Sequence, residues 1–474
     1  MFRPDVLPLT FASLSRRELS LPFLICGKEI WSFDRVRQVG ADRRAVLEKK
    51  TGRSFASLAA LAFHVRPDPQ TIADLFTCFD RSQTALLLHP HLSKTEQERV
   101  LSAFPAVIRL GADYAGIEAQ SLKSRAGEPQ SSLEDILTIL PTSGSTGSPK
   151  LVCLSRRAFV ASFSAHSGHF PWQPDDRWLL CMPFAHVGGL SVLTRCFLAR
   201  VPVVLYQEAS FTVREFMGTV EQNRVTLVSL VPTMLARLVE QGSCPPPFLR
   251  LVLLGGGPCP DRLWQQAVNL GWPVAVTYGM SETCSQIATD RPGFKIYSRL
   301  FALPQVEIET RGQEIRVRGE MLFSGYWQDG RCVSGLDPEG WFTTRDIGMV
   351  LSGGEIRLKG RQQDMIISGG ENIFPLEVEQ QLNRLPQVIR SCVFGIDDPE
   401  WGEAVAAAIV TDSPHNEALQ AIAQMDMAGF KKPKYVAFCS QETPWPSKVN
   451  RKKLARQLQV KLVPVKIIIH SLSL

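Results

Sequence analysis

The segment from Leu140 to Lys150 carries the clearest chemistry in the sequence, because eight of its residues are Gly, Ser, Thr or Lys. Backbone N–H groups and hydroxyls in such a loop can point at phosphate oxygens, and Lys150 can add positive charge. Glycines remove the Cβ atoms that would keep a phosphate at a distance. A solvated linker has a similar composition. The flanking apolar runs, 136–140 and 151–154, instead predict two strands with a tight connection, which favours a phosphate-binding loop.

Two common nucleotide-binding patterns are not satisfied. A P-loop needs G-x-x-x-x-G-K-[S/T], whereas Lys150 follows Gly147 by three positions and precedes Leu151. A dinucleotide-binding turn needs G-x-G-x-x-G, but the glycine run that begins at Gly255 has Pro260 at the third glycine position. The sequence therefore predicts a bound nucleotide that is held by neither of these motifs.

The elements around the loop indicate an α/β fold. Short apolar runs of strand length alternate with segments of helical period, such as 233–240 and 261–269, and continuous apolar strands are typical of sheets covered on both faces. The apolar runs are Ala85–His89, Leu151–Leu154, Trp178–Met182, Val203–Tyr206, Leu227–Val231 and Leu251–Leu254.

The pattern changes after about residue 300. Polar and apolar residues alternate at 306–309, 314–317 and 354–358, as they do in half-exposed antiparallel strands. A helix is predicted to begin at Pro375, which is followed by acidic residues in the first turn. The last hundred residues therefore look like a separate small unit with a boundary near 360–364.

Composition and charge exclude several classes of protein. The chain has 474 residues, 45% of them apolar and 21% charged, so disorder and small disulfide scaffolds are excluded. The net charge of +6 is spread along the chain. It does not indicate a nucleic-acid-binding protein, and it fits an anionic small ligand equally well. A homo-oligomer is compatible with the sequence.

The eleven cysteines are too far apart for CxxC spacing, which favours reduced, buried thiols in a cytosolic protein. No run of about 18 apolar residues predicts a membrane-spanning helix. Charges at Arg16 and Arg17 precede any hydrophobic run, unlike a secretory signal. We therefore expect a cytoplasmic protein.

A series of motifs resembles the adenylate-forming, acyl-CoA synthetase-like superfamily, which includes acyl-CoA ligases, amino-acid adenylation domains and luciferases. Within it, 278–287, 344–346 and 368–373 are similar to the branch of o-succinylbenzoate–CoA ligases of menaquinone synthesis. In chain order the motifs are Thr142–Lys150, Met182–Gly189, Leu254–Pro258, Thr277–Thr283, Gly340–Asp346, Gly360–Arg361, Ile367–Pro375 and Ser447–Arg451.

The resemblance implies an ATP-dependent acid–CoA ligase with two half-reactions. A carboxylic acid attacks the α-phosphate of ATP to form an acyl-adenylate and pyrophosphate, and coenzyme A then displaces AMP. The implied partners are Mg²⁺, ATP, coenzyme A and a small carboxylic acid, o-succinylbenzoate in the branch named above. The alternatives are a medium-chain or aryl acid–CoA ligase and a non-catalytic nucleotide-binding relative.

The resemblance also implies roles for individual residues. Glu282 is expected to bind Mg²⁺, Lys448 to reach the attacking carboxylate and the α-phosphate, and Thr146 to act with them in catalysis. Tyr278 is expected to stack on adenine, while Asp346 and Arg361 hold the ribose. The full set expected to bind the nucleotide or coenzyme A is Thr142, Ser143, Gly144, Ser145, Thr146, Gly147, Lys150, Gly256, Gly257, Tyr278, Gly279, Ser281, Asp346, Arg361, Gly369 and Gly370.

Three residues are expected to bind the acid. Amino-acid adenylation domains carry an Asp where this chain has 183–186, and the lack of an acid there makes amino acids poor candidates. Arg195 lies in an apolar stretch and is costly to bury without an anion, so we expect it to meet the second carboxylate of a diacid. An internal salt bridge or a snorkelling arginine is the alternative. His186 and Ser229 are expected to line the acyl pocket.

The resemblance finally implies a large N-terminal domain of layered sheets and helices at 1–359, a hinge at 360–364 and a small mobile α+β domain at 365–474. The small domain is expected to turn between the half-reactions, bringing in Lys448 for the first and 368–370 for the second. The hinge residue is Gln363 or Asp364. Arg345 stands where many relatives carry Gly.

Overall fold

The computed structural model describes most of the chain. The described residues are 6–52, 54, 60–90, 92–104, 107–110, 132–142, 149–208, 210–290, 299–440 and 451–465. None of the helices in these ranges is both long and apolar enough to cross a membrane.

The α-helices of the described ranges mostly begin at polar capping residues. For example, the Ser155 hydroxyl accepts a hydrogen bond from the N–H of Ala158 and so begins the helix at Arg156. The helices are α1 (Arg16–Leu19), α2 (Phe33–Thr51), α3 (Pro69–Asp80), α4 (Lys94–Leu101), α5 (Arg156–His169), α6 (Val187–Ala199), α7 (Val213–Gln222), α8 (Pro232–Glu240), α9 (Asp261–Asn269), α10 (Pro375–Leu382), α11 (His415–Gln424) and α12 (Arg451–Leu458).

The strands have between two and nine residues. They are β1 (Pro22–Cys26), β2 (Glu29–Ser32), β3 (Ala60–His64), β4 (Ala85–Leu88), β5 (Val107–Leu110), β6 (Ile136–Thr142), β7 (Lys150–Ser155), β8 (Trp178–Leu180), β9 (Val203–Leu205), β10 (Leu227–Leu230), β11 (Leu251–Leu254), β12 (Val274–Met280), β13 (Ser285–Thr289), β14 (Leu300–Ala302), β15 (Glu307–Arg311), β16 (Glu314–Arg318), β17 (Gly325–Gln328), β18 (Arg331–Val333), β19 (Phe342–Val350), β20 (Glu355–Arg361), β21 (Ile366–Ser368), β22 (Glu371–Ile373), β23 (Arg390–Asp398), β24 (Gly402–Val410), β25 (Tyr435–Cys439) and β26 (Val463–Pro464).

The strands form three sheets. The largest has the order β15-β16-β19-β20-β14-β13-β12-β11-β10-β8-β9-β1-β2, and its middle from β12 to β1 is parallel. The second has the order β18-β17-β7-β6-β4-β3-β5. The third contains β21 to β26. The predicted α/β class is confirmed. Most of the continuous apolar runs form parallel strands, whereas β6 and β7 are antiparallel. The segments in which polar and apolar residues alternate form antiparallel strands.

Two separate hydrophobic cores lie before and after residue 360. The larger one extends along the chain from Leu9 to Ile356, with Phe23, Phe76 and Phe197 in mutual ring contact near its centre. The core of the third sheet is made of residues between 366 and 465. The first two sheets therefore share the larger core, the third sheet has a core of its own, and β20 carries the chain from the large unit to the small one.

The eleven cysteines are free thiols, and six are buried, four half-buried and one exposed. The prediction of reduced thiols therefore agrees with the structure. The expectation that they are buried is wrong for Cys244, which lies on the surface beyond the end of α8.

Candidate active site

The predicted phosphate-binding loop connects the antiparallel strands β6 and β7. Thr142 and Lys150 are directly opposite each other, and the Thr142 hydroxyl donates to the Lys150 carbonyl oxygen at 3.2 Å. The Lys150 ammonium lies 4.9 Å from the centroid of the Tyr326 ring. Both ends of the loop are thus fixed by the sheet. The remaining loop candidates lie outside the described residues; they are Ser143, Gly144, Ser145, Thr146 and Gly147.

A glycine turn follows β11 at the carboxyl end of the parallel strands. Gly256 has a φ of +80°, and a Cβ there would lie 3.2 Å from a methyl group of Val231. Gly257 continues the same turn, and the neighbouring strand β12 carries Tyr278. Because the carboxyl ends of adjacent parallel strands meet at one edge of a sheet, the glycines and Tyr278 share that edge. The family resemblance predicts that Tyr278 and this glycine turn lie close together to bind adenine.

Tyr278, Asp346 and Arg361 are joined in one chain of contacts. The Tyr278 hydroxyl donates to Oδ2 of Asp346 at 2.8 Å, and Nε of Arg361 lies 3.1 Å from Oδ1. Asp346 and Arg361 are opposite each other on β19 and β20. Burial raises the pKa of the Asp346 carboxyl even though Arg361 opposes that shift. The two residues predicted to hold the ribose therefore do lie together.

Gly279 lets β12 turn sharply before the predicted metal ligand. A Cβ at this position would lie 1.8 Å from the carbonyl oxygen of Ser285, so a side chain cannot be accommodated without moving the backbone. The next residues, Ser281–Thr283, form a single 3-10 turn. This turn places Ser281 and Glu282 just beyond the end of β12, next to the adenine-side residues.

Glu282 is held from two sides. Oε1 of Glu282 accepts a hydrogen bond from the Tyr326 hydroxyl at 3.0 Å, and its carbonyl oxygen accepts from the N–H of Phe323 at 2.9 Å. The Glu282 charge also contributes to the raised pKa of the Asp346 carboxyl, so the two carboxyl groups lie in one region. The expected clustering of metal-binding and ribose-binding acids is therefore present in the structure.

Arg345 has a left-handed backbone conformation with a φ of +63°. A non-glycine residue in this region costs on the order of 1–3 kcal/mol unless the surrounding structure imposes it. Glycine adopts the same conformation without a Cβ clash, which explains why many relatives carry Gly here. The strained position immediately precedes Asp346 and lies within β19.

Arg195 is fully enclosed near the middle of α6. Its side chain is 2% exposed, and Nη2 donates to the Ser162 hydroxyl at 3.2 Å, which in turn donates to the Cys284 carbonyl oxygen at 2.9 Å. Burial lowers the pKa of the Arg195 guanidinium to about 10. No carboxylate of the described residues forms an ion pair with it, and it does not snorkel to the surface. Both alternatives for Arg195 are therefore wrong over the described residues.

The other two acid-side candidates lie at strand and helix ends. His186 is the residue that precedes α6, and its ring centroid is 4.7 Å from that of His89 at the end of β4. Ser229 is buried on β10, where its carbonyl oxygen accepts from the Cys181 thiol. Among the described residues, Ser229 does not form a hydrogen bond with Arg195.

In the small unit, Gly369 and Gly370 form the turn between β21 and β22, both with positive φ. A Cβ on Gly369 would lie 2.8 Å from the Trp401 ring. Lys448 lies outside the described residues. Arg451, at the start of α12, contacts the Glu379 carboxylate, and its Nε lies 3.6 Å from Oδ2 of Asp364.

Comparison with known proteins decides the family. The profile of the AMP-binding enzymes matches residues 56–327, and that of the AMP-binding enzyme C-terminal domain matches residues 377–445. The chain belongs to the AMP-binding enzyme family.

Relatives in this family are named as ligases. A 2-succinylbenzoate–CoA ligase of Bacillus pumilus is 34% identical over 444 residues, which is 86% of this chain and 89% of the relative. The Bacillus licheniformis enzyme of the same name is 33% identical, over 82% and 87% of the two chains.

Solved structures give the same result. The o-succinylbenzoate CoA synthetase of Bacillus subtilis, in complex with the acyl-adenylate intermediate OSB-AMP, superposes with a TM-score of 0.80. It is 27% identical and covers 92% of this chain and 95% of its own. The same enzyme with ATP and a magnesium ion gives a TM-score of 0.77 at 28% identity, over 92% and 96%. The resemblance inferred from the motifs and the predicted two-part fold are confirmed.

The donor set of this AMP-binding enzyme fits a magnesium ion. Among the described residues, no group of three or more His, Cys, Asp or Glu side chains could hold a metal ion by itself. Mg²⁺ is commonly bound by one or two carboxylates together with substrate phosphates and water, so Glu282 at the edge of the nucleotide region suits it. A dedicated all-protein cage is not needed.

Sequence reasoning missed Tyr326 and Ser162, which contact Glu282 and Arg195 respectively. Tyr326 follows a glycine in a short strand, and nothing in its neighbours in the sequence distinguishes it from a packed aromatic residue. Ser162 lies inside a helix, where serine is unremarkable. Only the strand pairing and helix packing reveal these contacts.

Proposed function

We propose that the protein is an ATP-dependent 2-succinylbenzoate–CoA ligase that acts in menaquinone biosynthesis. The nucleotide half of this proposal rests on the contacts that join Tyr278, Asp346 and Arg361 beside Glu282. The observation that carries the choice of acid is the enclosed Arg195, in a chain that matches enzymes of that name over most of its length. The substrates ATP and coenzyme A place the proposed activity in the cytoplasm.

The first half-reaction joins the acid to AMP. The succinyl carboxylate is already ionised near neutral pH, so no general base is needed. Its oxygen bonds to the α-phosphorus of ATP, and the bond from that phosphorus to the bridging oxygen of pyrophosphate breaks. The main barrier is the approach of two anions, so cations and N–H donors must surround the phosphates. We assign this role to Lys150, Lys448 and the loop 142–147.

The nucleotide is held by three parts of the large unit. The Tyr278 ring and the turn at Gly256 and Gly257 enclose adenine, while Asp346 and Arg361 hold the ribose hydroxyls. The hydroxyl of Ser281, two residues after Gly279, donates a hydrogen bond to the α-phosphate. Glu282 binds Mg²⁺, which, when present, neutralises charge on the phosphate oxygens.

The acid lies between the nucleotide and α6. Arg195 meets the aromatic carboxylate, directly or through a water, and compensates for the cost of burying both charges. His186 and Ser229 line the acyl pocket. An acid without a second carboxylate would leave the guanidinium without an anion, so the site selects for diacids.

In the second half-reaction the thiol of coenzyme A attacks the acyl carbon. The bond from that carbon to the AMP oxygen breaks, AMP departs, and the thiol proton goes to solvent. We propose that a small domain, 365–474, turns about a hinge at 360–364 relative to the large domain, 1–359. This rotation replaces Lys448 with the Gly369 and Gly370 turn at the site. The separate hydrophobic cores on either side of residue 360 support this division.

A panel of acids tests the proposal by measuring pyrophosphate release with ATP, Mg²⁺ and coenzyme A. We expect 2-succinylbenzoate to be the preferred substrate over benzoate and over medium-chain fatty acids. An equal or higher rate with those acids would assign the protein to a different acid–CoA ligase class. ATP binding without pyrophosphate release for any acid would make it a non-catalytic relative.

A lysine variant separates the half-reactions. We expect Lys448→Ala to abolish adenylate formation and to leave thioester formation from supplied acyl-adenylate intact, because the lysine contacts only the first reacting groups. Lys452→Ala, in the exposed part of α12, is the matched control. Equal loss of both half-reactions would contradict the role of Lys448.

A further inference from the structure

Tyr326 contacts both the base of the phosphate loop and the proposed metal ligand. It lies on β17, directly opposite Val152 on β7. Lys150 is two residues from Val152 on β7, so the two side chains project from the same face of the sheet. Lys150 is thus the diagonal cross-strand neighbour of Tyr326, within reach of its ring. Two distances agree with this register: 4.9 Å from the Lys150 ammonium to the ring centroid, and 3.0 Å from the Tyr326 hydroxyl to Oε1 of Glu282.

The hydroxyl of Tyr326 is a donor under all ordinary conditions. A tyrosine phenol has an ordinary pKa of about 10 and is therefore protonated near neutral pH, and this hydroxyl lies 3.0 Å from Oε1 of Glu282. A protonated phenol beside a carboxylate can only donate to it, and this fixes which oxygen of Glu282 is occupied and how the carboxylate is turned. The N–H of Phe323 holds the backbone of the same residue. Side chain and backbone of Glu282 are thus positioned by the segment that leads into β17.

The ring of Tyr326 has a second role. A lysine ammonium within about 6 Å of an aromatic face is attracted to it, and this limits the positions that the flexible lysine stem adopts. Lys150 closes the loop that is expected to hold the phosphates. One aromatic side chain therefore contacts both the Lys150 ammonium and the Glu282 carboxylate.

We propose that Tyr326 is a positioning residue for adenylate formation, which orients the Glu282 carboxylate towards Mg²⁺ and holds Lys150 at the end of the phosphate loop. It acts through these two residues and does not touch the reacting atoms. This inference rests on the proposed function for the identity of the nucleotide and the metal. Residues that orient a metal ligand through a hydrogen bond typically change metal affinity 10- to 100-fold when they are removed.

Two substitutions separate the hydroxyl from the ring. Tyr326→Phe removes the hydrogen bond to Glu282 and keeps the ring that packs on Phe323, at a centroid distance of 4.9 Å. Tyr326→Leu removes both. The matched control is Tyr435→Phe, because the Tyr435 hydroxyl also donates to a carboxylate, that of Asp398, at 3.3 Å in the small unit.

The first measurement is metal binding without turnover. Mn²⁺ is titrated into the full-length protein with a non-hydrolysable ATP analogue, and bound Mn²⁺ is followed by electron paramagnetic resonance. We expect the Kd for Mn²⁺ to rise about tenfold or more in Tyr326→Phe and to stay at the wild-type value in Tyr435→Phe. A wild-type Kd in Tyr326→Phe, or an equal rise in the control, would overturn the proposal.

The second measurement is a double-mutant cycle with Glu282→Gln. If Tyr326 acts through the carboxylate, Tyr326→Phe changes the Kd for Mn²⁺ much less in the Glu282→Gln background than in the wild type. Equal changes in both backgrounds would contradict positioning and indicate a general packing effect. Should Tyr326→Phe fold poorly, Glu282→Asp moves the carboxylate away from the hydroxyl and is expected to weaken Mn²⁺ binding in the same way.

The third measurement is the kinetics of acid-dependent pyrophosphate release. We expect the Mg²⁺ concentration for half-maximal rate to rise in Tyr326→Phe, and the KM for ATP to rise further in Tyr326→Leu, since Lys150 then loses the ring. An unchanged KM for ATP in Tyr326→Leu would remove the lysine part of the proposal. If the wild type released no pyrophosphate with any acid, the proposed function would fail, whereas the Mn²⁺ titration would still decide the role of Tyr326.

Discussion

Two buried arginines on packed helices have opposite surroundings. Arg156 begins α5 and donates to the carbonyl oxygens of Pro8 and Phe79, each at 2.7 Å, and to the Ser82 hydroxyl at 3.0 Å. Arg195 on α6 has one described hydrogen bond, to a hydroxyl of α5. Burial lowers the pKa of each guanidinium to about 10. The cost of burial is similar, but only Arg156 is surrounded by fixed acceptors.

Under the proposed function, this difference separates a structural cation, Arg156, from a cation that binds a ligand, Arg195. The acceptors of Arg156 belong to the N-terminal segment and to the end of α3, so its guanidinium holds three parts of the large core together. A guanidinium has five N–H donors, and the single hydroxyl partner of Arg195 leaves capacity for an anion. Burial alone would not have distinguished the two.

The largest expected effect is on stability at Arg156. Arg156→Met leaves two buried carbonyl oxygens and one hydroxyl without their donor, at about 1–3 kcal/mol each. We expect the free energy of unfolding to fall by roughly 3 kcal/mol or more, measured by urea denaturation. The KM for the acid should be unchanged in the protein that remains folded. An Arg156→Met variant with wild-type stability and an altered KM for the acid would contradict the structural role of Arg156.

The next effect is on substrate binding at Arg195. Arg195→Met removes a charged hydrogen bond to the diacid, worth roughly 1.5–3 kcal/mol, so kcat/KM for 2-succinylbenzoate should fall about 10- to 150-fold. Stability should be unchanged or higher, because a buried charge is replaced by an apolar side chain of similar length. Pyrophosphate release with 2-succinylbenzoate and benzoate measures the selectivity. Parallel losses for both acids would show that Arg195 does not read the second carboxylate.

A buried carboxyl at the far end of α5 extends the comparison to the opposite charge. Asp290 follows β13, its carbonyl oxygen lies 3.3 Å from Nε2 of His169, and Oδ1 has no hydrogen-bond partner among the described residues. Burial raises the pKa of this carboxyl to about 7. Between about pH 4 and pH 7 the folded protein keeps a proton that the unfolded chain has lost, so the free energy of unfolding falls as the pH rises.

We therefore expect Asp290→Asn to remove this slope and to be more stable than the wild type at pH 8, by about 1–2 kcal/mol. The measurement is urea denaturation of both proteins from pH 5 to pH 8. If the wild type had the same pH dependence as the variant, other groups would stabilise the ionised form of Asp290, and the prediction of a raised pKa would be contradicted. Asp135→Asn is the control, because Asp135 lies next to the opposite end of α5, where its carbonyl oxygen accepts from the N–H of Arg156.

The smallest effect is expected at Ser162. Ser162→Ala removes the described partner of Arg195. This charge-assisted hydrogen bond is worth roughly 1.5–3 kcal/mol, but Ser162 only orients the guanidinium, so a fraction of that energy affects substrate binding. The KM for 2-succinylbenzoate should rise about two- to tenfold, because the guanidinium is less well oriented. Ser167→Ala, on the same helix but bonded to Trp172, is the control. A KM unchanged in Ser162→Ala would show that packing alone orients Arg195.

Much of the fold could be predicted from local sequence. Strand β11 and helix α9 have the predicted bounds, because a continuous apolar run and an amphipathic segment each specify one element. Strand β8 is two residues shorter than predicted, because the apolar run continues through Cys181 and Met182 into the loop before Pro183.

Most of the contacts that build the site could not be predicted from local sequence. The exception is the pair Asp346 and Arg361, which the motifs predict to lie together, and the register of β19 and β20 agrees. The hydroxyl contact from Tyr278 to Asp346 joins residues 68 positions apart, and that from Tyr326 to Glu282 joins residues 44 apart. Such contacts depend on how separate elements pack, and residue type alone does not encode them.

The ion pair between Asp346 and Arg361 has a consequence for turnover in the cell. Arg361 is the last residue of β20 and lies within the proposed hinge. The ion pair with Asp346, which is proposed to hold the ribose, would therefore also restrict rotation at the hinge. Departure of AMP and resetting of the small domain would then be a single event.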